Sequence, residues 1–265
     1  MYLQTPEDLP DTPAQRAADR RQLLRALNFS LGFVLILAAV FALQQGEDYR
    51  PLTVTALSLQ GLWGLLTAPL LHGSLEHIAA NAASLLLLGP LAGSVYPKAT
   101  LRALPILWLG SGLGAWLLGD PGSHHLGASG LTHGLMFLVF VLGLLRRDRP
   151  SIAAAMIAFL LYGGMLLTVL PQEPGVSWQS HLGGALGGVL SAFLFRHADP
   201  IPPRKLYSWE LEEELAPADD GELEPPTPHD VPVLWHRPEA QRGVILQFPT
   251  RGASAHGDEP PPPSR

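Results

Sequence analysis

Residues 174–195 read PGVSWQSHLGGALGGVLSAFLF. The stretch contains no Asp, Glu, Lys or Arg, and it is long enough to cross the hydrocarbon core of a bilayer, which takes about 20 apolar residues. Two overlapping pairs of small residues follow its polar start, Gly183 with Gly187 and Gly184 with Gly188. Such pairs allow membrane helices to approach closely. The stretch therefore predicts a tightly packed membrane helix.

Six more stretches lack all four charged residue types. They are Ala26–Gly46, Pro51–Leu75, His77–Pro97, Ala103–Gly119, Pro121–Leu145 and Pro150–Gln172. The 265 residues are 47% hydrophobic and 15% charged, whereas soluble domains have about 25% charged residues. A water-soluble enzyme does not fit this composition. The chain has no cysteine, which excludes disulfides, thiol nucleophiles, thiolate zinc sites and iron–sulfur clusters.

The distribution of basic residues decides how many of the seven stretches cross the membrane. Residues 51–75 contain Pro, Gly, Thr and Ser, and we interpret them as an interfacial loop with Trp63 as an aromatic anchor. A seventh span there would move Arg146 and its basic neighbours to the outer face, against the positive-inside rule. We therefore predict an all-α polytopic membrane domain of six transmembrane helices over residues 26–197, following a cytoplasmic segment 1–25, with both termini in the cytoplasm.

The end of the chain differs from the rest in charge and proline content. Residues 206–265 hold 4 basic and 12 acidic side chains, a net charge of −8, and end near a run of prolines at 260–263. This composition buries too little apolar surface to fold alone. We predict that 198–265 form a mostly disordered, acidic cytoplasmic tail. Its short apolar runs at 231–235 and 243–248 leave an unknown cytoplasmic partner or a transient hairpin open.

The glycines lie inside the predicted spans rather than in phosphate-binding loops, and no feature of the sequence indicates nucleotide or nucleic acid binding, so we expect no nucleic acid partner. The excess of Arg over Lys and the many Ala, Leu and Pro residues indicate a bacterial inner (plasma) membrane protein.

Four polar residues lie near the starts of predicted spans. His77 and Asn81 are one turn apart in the second span, where Ser74 is the expected N-cap. Ser129 opens the fourth span and His181 the sixth. These spans run in the same direction, so we expect the four side chains to meet at one depth. Ionisable or amide groups at such positions indicate function.

The surroundings of Ser129 suit nucleophilic chemistry. The residue lies between Gly127 and Gly130 at a helix start, where its hydroxyl is accessible and close to the positive end of the helix dipole. A neutral His181 opposite can take the hydroxyl proton. The backbone N–H of Ser129 and the polar groups of the second span can donate hydrogen bonds to an oxyanion. The pattern predicts an acyl-transfer site.

Two motifs and one histidine together carry a resemblance to a known family. They are His72-x4-His77-x3-Asn81, Gly127-x-Ser129-Gly130 and His181 ahead of the glycine-rich segment 181–188. In this order the chain resembles, over about residues 26–197, the rhomboid family of intramembrane serine proteases. The resemblance implies Ser129 as the nucleophile and His181 as the general base and then the acid, without a carboxylate.

The resemblance also implies supporting roles. His77 and Asn81 match the oxyanion-stabilising positions, and His72 matches a supporting histidine just before the helix. His133 stands where family members often carry an aromatic residue, commonly Tyr, that packs on the base. Gly127 and Gly130 match the small residues around the nucleophile.

Membrane helices of other proteins are the substrates that the resemblance implies, usually single-pass helices cut near the outer face after local unwinding. Membrane lipid is the other expected partner, and no cofactor is implied. Two departures stand out: His133 in place of the aromatic residue, and Trp63-Gly64 where a Trp-Arg pair is common.

Two other functions are compatible with parts of this pattern. A proteolytically inactive rhomboid-like scaffold that binds membrane helices is the alternative, suggested by the two departures. A transporter using His72, His77 and His181 as a proton path is less well supported, because no acidic residue lies inside a span. The zinc signature H-x-x-E-H does not occur, and we interpret His124 and His125 as loop residues beside the site. We expect no metal.

Overall fold

The computed structural model of the protein describes residues 9–10, 12–171, 175–200 and 205–206. The chain divides into one unit of residues 1–211 and another of residues 212–265. The second unit lies outside the described residues, and so does most of the predicted tail, including both of its short apolar runs.

Helices dominate the described part of the chain, which contains six helices of 14 residues or more. In chain order the helices are α1 (Pro13–Leu43), the short α2 (Gly64–Thr67), α3 (Leu75–Val95), α4 (Pro97–Leu118), α5 (Ser129–Arg146), α6 (Arg149–Tyr162) and α7 (Trp178–Phe195). Two small sheets accompany them. They are β1 (Leu9–Pro10) parallel to β4 (Lys205–Leu206), and β2 (Val54–Thr55) antiparallel to β3 (His124–His125).

Among the described residues, five helices are long and apolar enough to cross a membrane: α1, α3, α4, α5, and α6 with the turn that follows it to Leu166. This confirms a mostly helical protein with several membrane spans. Helix α7 is not one of the five, because its polar first turn and its glycines lower its mean hydropathy. More than half of its residues are buried against other helices, so it needs less apolar surface. The count of six transmembrane helices stays a prediction.

The starts of the helices follow from local sequence. The Thr12 side chain accepts a hydrogen bond from the Gln15 N–H (3.2 Å), and Pro13 occupies the first position of α1. Helix α1 therefore begins well before the apolar residues that predict the first span. The Ser74 hydroxyl accepts from the N–H of His77 (3.1 Å), which confirms Ser74 as the N-cap of α3.

Glycines pack α7 directly against α4 and α5. A Cβ atom at Gly114 of α4 would lie 2.8 Å from the Cα atom of Gly183. A Cβ atom at Gly184 would lie 2.7 Å from the carbonyl carbon of Gly130 in α5. Both distances are too short for a real side chain. The close approach of α5 to α7 was predicted from the glycine pairs; the equally close approach of α4 was not.

The loop between α1 and α3 contains only short elements. Besides α2 and β2, these are the 3₁₀ turns Arg50–Leu52, Gln60–Trp63 and Ala68–Leu70. None of them is long enough to span a membrane, so residues 51–74 form a connection as predicted, while Leu75 already begins α3; the interfacial position of this loop stays a prediction. The side chain of Trp63 is 73% exposed, as an interfacial anchor requires. Gly64 lies against the backbone of Thr53, where a Cβ atom would overlap it.

Candidate active site

The Ser129 hydroxyl stands at the first residue of α5, held there by the segment before it. Gly127 has φ = +112°, a conformation that favours glycine, and its N–H donates to the carbonyl of Ala68 (2.9 Å). A Cβ atom at Gly127 would lie 2.5 Å from Cε1 of His77. Glycine is therefore needed both for the backbone conformation and for the contact with the imidazole.

His181 lies in the first turn of α7 and contacts Ser129 directly. Its Nε2 is 2.9 Å from Ser129 Oγ, and its Nδ1 is 3.0 Å from the carbonyl oxygen of Thr168. A carbonyl only accepts, so Nδ1 carries the hydrogen and donates it. In the neutral ring, Nε2 is then the acceptor for the serine hydroxyl. The geometry sets the tautomer that proton removal from Ser129 needs.

His133 covers one face of the His181 ring. The two imidazoles are stacked, with centroids 3.8 Å apart and planes inclined by 11°. His133 Nδ1 donates to the carbonyl of Ser129 (2.6 Å), and its Nε2 lies 2.8 Å from Thr168 Oγ1. The histidine thus occupies the stacking position that the resemblance gives to an aromatic residue.

His77 and Asn81 lie on one side of α3 and line the same cavity as Ser129 and His181. The cavity has a volume of about 1090 Å³. The amide nitrogen of Asn81 is buried and has no hydrogen-bond partner among the described residues. It is a donor available to a group in the cavity. The structure therefore brings together all four polar residues that the sequence singled out.

His72 is completely buried behind the cavity and does not line it. Its backbone is bracketed by the side chain of Gln44, which donates to the His72 carbonyl and accepts from the His72 N–H. The His72 ring packs edge-on against His77 (centroids 5.0 Å apart), and its Nε2 accepts from the N–H of Ala128 (3.5 Å). Burial, reinforced by His77, lowers the pKa of His72 from 6.5 to about 4. A neutral ring suits a supporting role, which stays a prediction.

His124 and His125 form the two-residue strand β3 in the connection between α4 and α5, and both line the cavity beside the site. His124 Nδ1 pairs with the hydroxyl of Thr53 (2.8 Å). His125 pairs with Ser123 (2.8 Å) and with Ser177, the N-cap of α7 (2.7 Å), and burial lowers its pKa. Within the described ranges, no group of three or more His, Asp or Glu residues could hold a metal ion.

Sequence reasoning missed Thr168, which accepts from His181 through its carbonyl and pairs with His133 through its hydroxyl. No motif identifies it. The only signal is that a hydroxyl side chain interrupts the apolar end of the charge-free stretch Pro150–Gln172.

Together, the helical bundle and its contents define a class: an integral membrane protein whose helices enclose a cavity containing a serine hydrogen-bonded to a histidine. The model of the rhomboid domain matches residues 59–198. An uncharacterised protein of Mycobacterium tuberculosis is 37% identical over 199 residues, covering 71% of this chain and 83% of that protein. An uncharacterised protein of Mycobacterium leprae is 36% identical over 186 residues, covering 64% and 74% respectively. The chain belongs to the rhomboid family.

Proposed function

We propose that this protein is an intramembrane serine endopeptidase that cleaves transmembrane segments of membrane proteins. The observation that carries the proposal is the 2.9 Å contact between Ser129 Oγ and His181 Nε2, with Nδ1 held by the Thr168 carbonyl. A serine and a histidine that only packed the helices would not need this tautomer. Family membership supports the same activity, since rhomboids are typically intramembrane serine proteases.

Acylation begins when Ser129 Oγ attacks the carbonyl carbon of the scissile peptide bond. The hydroxyl proton moves to Nε2 of His181, which acts as the general base. The tetrahedral intermediate then collapses, the C–N bond breaks, and His181 returns the proton to the leaving nitrogen. Water, activated by the same imidazole, hydrolyses the acyl-enzyme and restores the Ser129 hydroxyl.

The oxyanion of the tetrahedral intermediate has suitable donors on two helices. The first N–H groups of α5, including that of Ser129, have no partner within their helix and lie at the positive end of its dipole. The Asn81 amide, which has no partner in the described part of the chain, and the ring of His77 line the same cavity. In a site screened from bulk water, each such donor contributes strongly to stabilising the transition state.

We further propose that α7 is a sixth span and that the cavity opens toward the outer face of a bacterial plasma membrane. Helices α3, α5 and α7 all begin at the cavity. The opposite ends, and the first part of α1, carry most of the basic residues of the membrane domain, which the positive-inside rule places in the cytoplasm. Substrate helices would then be cut near the outer face.

The two departures from the family pattern do not favour the scaffold alternative. His133 stacks on His181 as an aromatic residue would. Gly64 occupies a position against the Thr53 backbone where no larger residue fits, so this chain anchors the loop by close packing rather than by an arginine. Neither feature removes the nucleophile or the base.

The test is labelling of the purified protein, in detergent and in lipid, with a serine-reactive fluorophosphonate. We expect wild type to label and Ser129→Ala to lose labelling completely. His181→Ala should lower the labelling rate by about three orders of magnitude or more, since the base is lost. Cleavage of a single-pass helix reconstituted in the same vesicles should follow the same order.

A folded wild type that does not react in either environment contradicts the protease and favours the scaffold. Labelling that persists in Ser129→Ala would place the reactive residue elsewhere.

A further inference from the structure

The rings of His181 and His133 bridge the same two residues. His181 joins the Ser129 hydroxyl to the Thr168 carbonyl (2.9 and 3.0 Å), and His133 joins the Ser129 carbonyl to the Thr168 hydroxyl (2.6 and 2.8 Å). The stacked rings therefore connect Ser129 of α5 to Thr168 in the segment after α6, and they do so in opposite orientations. His181 has Nε2 on the Ser129 side, whereas His133 has Nδ1 there.

We propose that Thr168 is a positioning residue for the general base, holding His181 through its carbonyl and the stacked His133 through its hydroxyl. The inference deepens the proposed function and rests on it for its kinetic consequences. Thr168 touches no reacting atom; it acts through the two imidazoles.

The donors and acceptors can be assigned for all four bonds. Each Nδ1 faces a carbonyl, so each Nδ1 carries a hydrogen. In a neutral His133, Nε2 is then an acceptor, and only the hydroxyl of Thr168 can donate to it. That hydroxyl also lies 3.2 Å from the carbonyl of Met165, a longer contact than the 2.8 Å to His133. The shorter contact fixes the direction of the hydroxyl toward His133.

A bridge of this kind restricts the base in two ways. The carbonyl of Thr168 keeps the hydrogen of His181 on Nδ1 and so keeps Nε2 free to accept from Ser129. The Thr168 hydroxyl holds the His133 ring parallel to the His181 ring, with the ring centroids 3.8 Å apart. The stacked His133 ring in turn limits rotation of the His181 imidazole about its bond to Cβ. Neighbouring side chains that only filled space would not need both groups of one threonine.

The test separates the hydroxyl of Thr168 from its bulk. Thr168→Val keeps shape and carbonyl but removes the hydroxyl, and Thr168→Ser keeps the hydroxyl. Thr100→Val is the matched control, because Thr100 is a buried helical threonine whose hydroxyl has no partner among the described residues. We expect the fluorophosphonate labelling rate to fall about five- to tenfold in Thr168→Val, as for loss of one hydrogen bond. Thr168→Ser and Thr100→Val should label at close to the wild-type rate.

A double-mutant cycle of Thr168→Val with His133→Phe distinguishes the proposed hydrogen bond from a simple loss of packing, because the two predict different labelling rates for the double variant. Phenylalanine keeps the stacked ring but cannot accept from Thr168. If the hydroxyl acts through His133, the double variant should label no more slowly than His133→Phe alone. Fully additive losses would overturn the proposal, and so would a Thr168→Val rate equal to that of Thr100→Val.

Nitrogen-15 NMR of histidine-labelled protein tests the same bridge without enzyme activity. Wild type and Thr168→Ser should show His133 and His181 as Nδ1–H tautomers. In Thr168→Val, His133 should stay an Nδ1–H tautomer, because the Ser129 carbonyl still accepts from Nδ1, and its Nε2 resonance should shift, because that nitrogen loses its donor. A wild type with His133 protonated at Nε2 overturns the inference even if the protein labels. If the wild type does not label at all, the proposed protease fails, and the tautomers alone then decide for or against the bridge.

Discussion

The interior helices α4, α5 and α7 differ from the outer helices α1 and α6 in how they are packed. Over an apolar stretch of 18 residues, α5 has 61% of its residues buried, whereas α1 has 11% and α6 with its following turn 22%. Glycines dominate the contacts of α7, and exposed Leu, Ile and Phe dominate the outer helices. Atomic fit is therefore required where the polar site is built, and only general hydrophobicity is required at the periphery.

This difference follows from how each part is stabilised in a membrane. Lipid is as apolar as leucine, so an outer helix gains little from a particular neighbour. Close backbone approach, in contrast, gives many van der Waals contacts, and it is lost when one methyl group intrudes. The interior places Ser129 and His181 on two such helices, which ties their 2.9 Å contact to the glycine packing below them.

The largest difference between the interior and the outer helices is expected when one glycine of each is replaced by alanine. In Gly184→Ala the new methyl group would meet the carbonyl carbon of Gly130 at 2.7 Å, so α5 and α7 must separate. We expect the free energy of unfolding to fall by about 2 kcal/mol or more. The fluorophosphonate labelling rate should fall about a hundredfold, since small displacements of reacting groups are costly.

Gly32→Ala in α1 is the control, because no atom lies within 4 Å of its Cβ position. It should label like wild type and unfold within about 1 kcal/mol of it, alanine being the better helix former. Unfolding in a graded denaturing detergent, with labelling on the same samples, measures both quantities. Equal effects at the two glycines would contradict the proposed difference between interior and periphery.

Much of this interior was predictable, for identifiable reasons. Antiparallel succession of the helices puts the starts of α3, α5 and α7 at one end, so topology alone predicts that His77, Ser129 and His181 lie at one depth. The regular spacing of Gly184 and Gly188 predicts a close helix contact. Such arguments need only local periodicity and span direction.

Other contacts were not predictable because they join residues far apart without any pattern. Thr168 reaches His181 from an irregular segment after α6. The α4 face that receives Gly183 depends on the order of helices around α7. Asp199 binds the start of α4, a hundred residues earlier. A single sequence carries no signal for pairings of this type.

The hydrogen-bonded cap at the start of the interior helix α4, at the end opposite the cavity, should also contribute more to the free energy of unfolding than the cap at the start of the outer helix α1. The carboxylate of Asp199 accepts from the N–H groups of Lys98 and Ala99, both at 2.9 Å, and is nearly buried. Asp199→Ala leaves these two donors unpaired and removes a negative charge from a helix N-terminus. We expect a loss of about 1–2 kcal/mol in unfolding free energy, with labelling unchanged.

Thr12→Ala gives the matched change at the exposed cap of the outer helix α1, where one hydrogen bond is made at 3.2 Å. Its effect should be about 0.5 kcal/mol, the low end for a cap exposed to water. Asp199→Asn, which keeps one acceptor oxygen, should fall between Asp199→Ala and wild type. A larger loss at Thr12 than at Asp199 would reverse the ranking of the two regions.

The smallest expected effect concerns His72, which joins the two regions. Gln44, just after α1, holds its backbone, and its ring accepts from Ala128, just before α5. Burial lowers the pKa of His72 from 6.5 to about 4, so between these values the unfolded chain binds a proton that the folded protein does not. The free energy of unfolding should therefore decrease as the pH falls from 6.5 toward 4, and this contribution should be fully retained above pH 6.5.

His72→Gln removes the titrating group, so its unfolding free energy should decrease less steeply than that of wild type across the same pH interval. The relevant quantity is the difference in slope between the two proteins, because every other titratable residue is the same in both. Parallel pH profiles for wild type and His72→Gln would mean that the pKa of His72 is the same in the folded and the unfolded protein, and would contradict the lowered value.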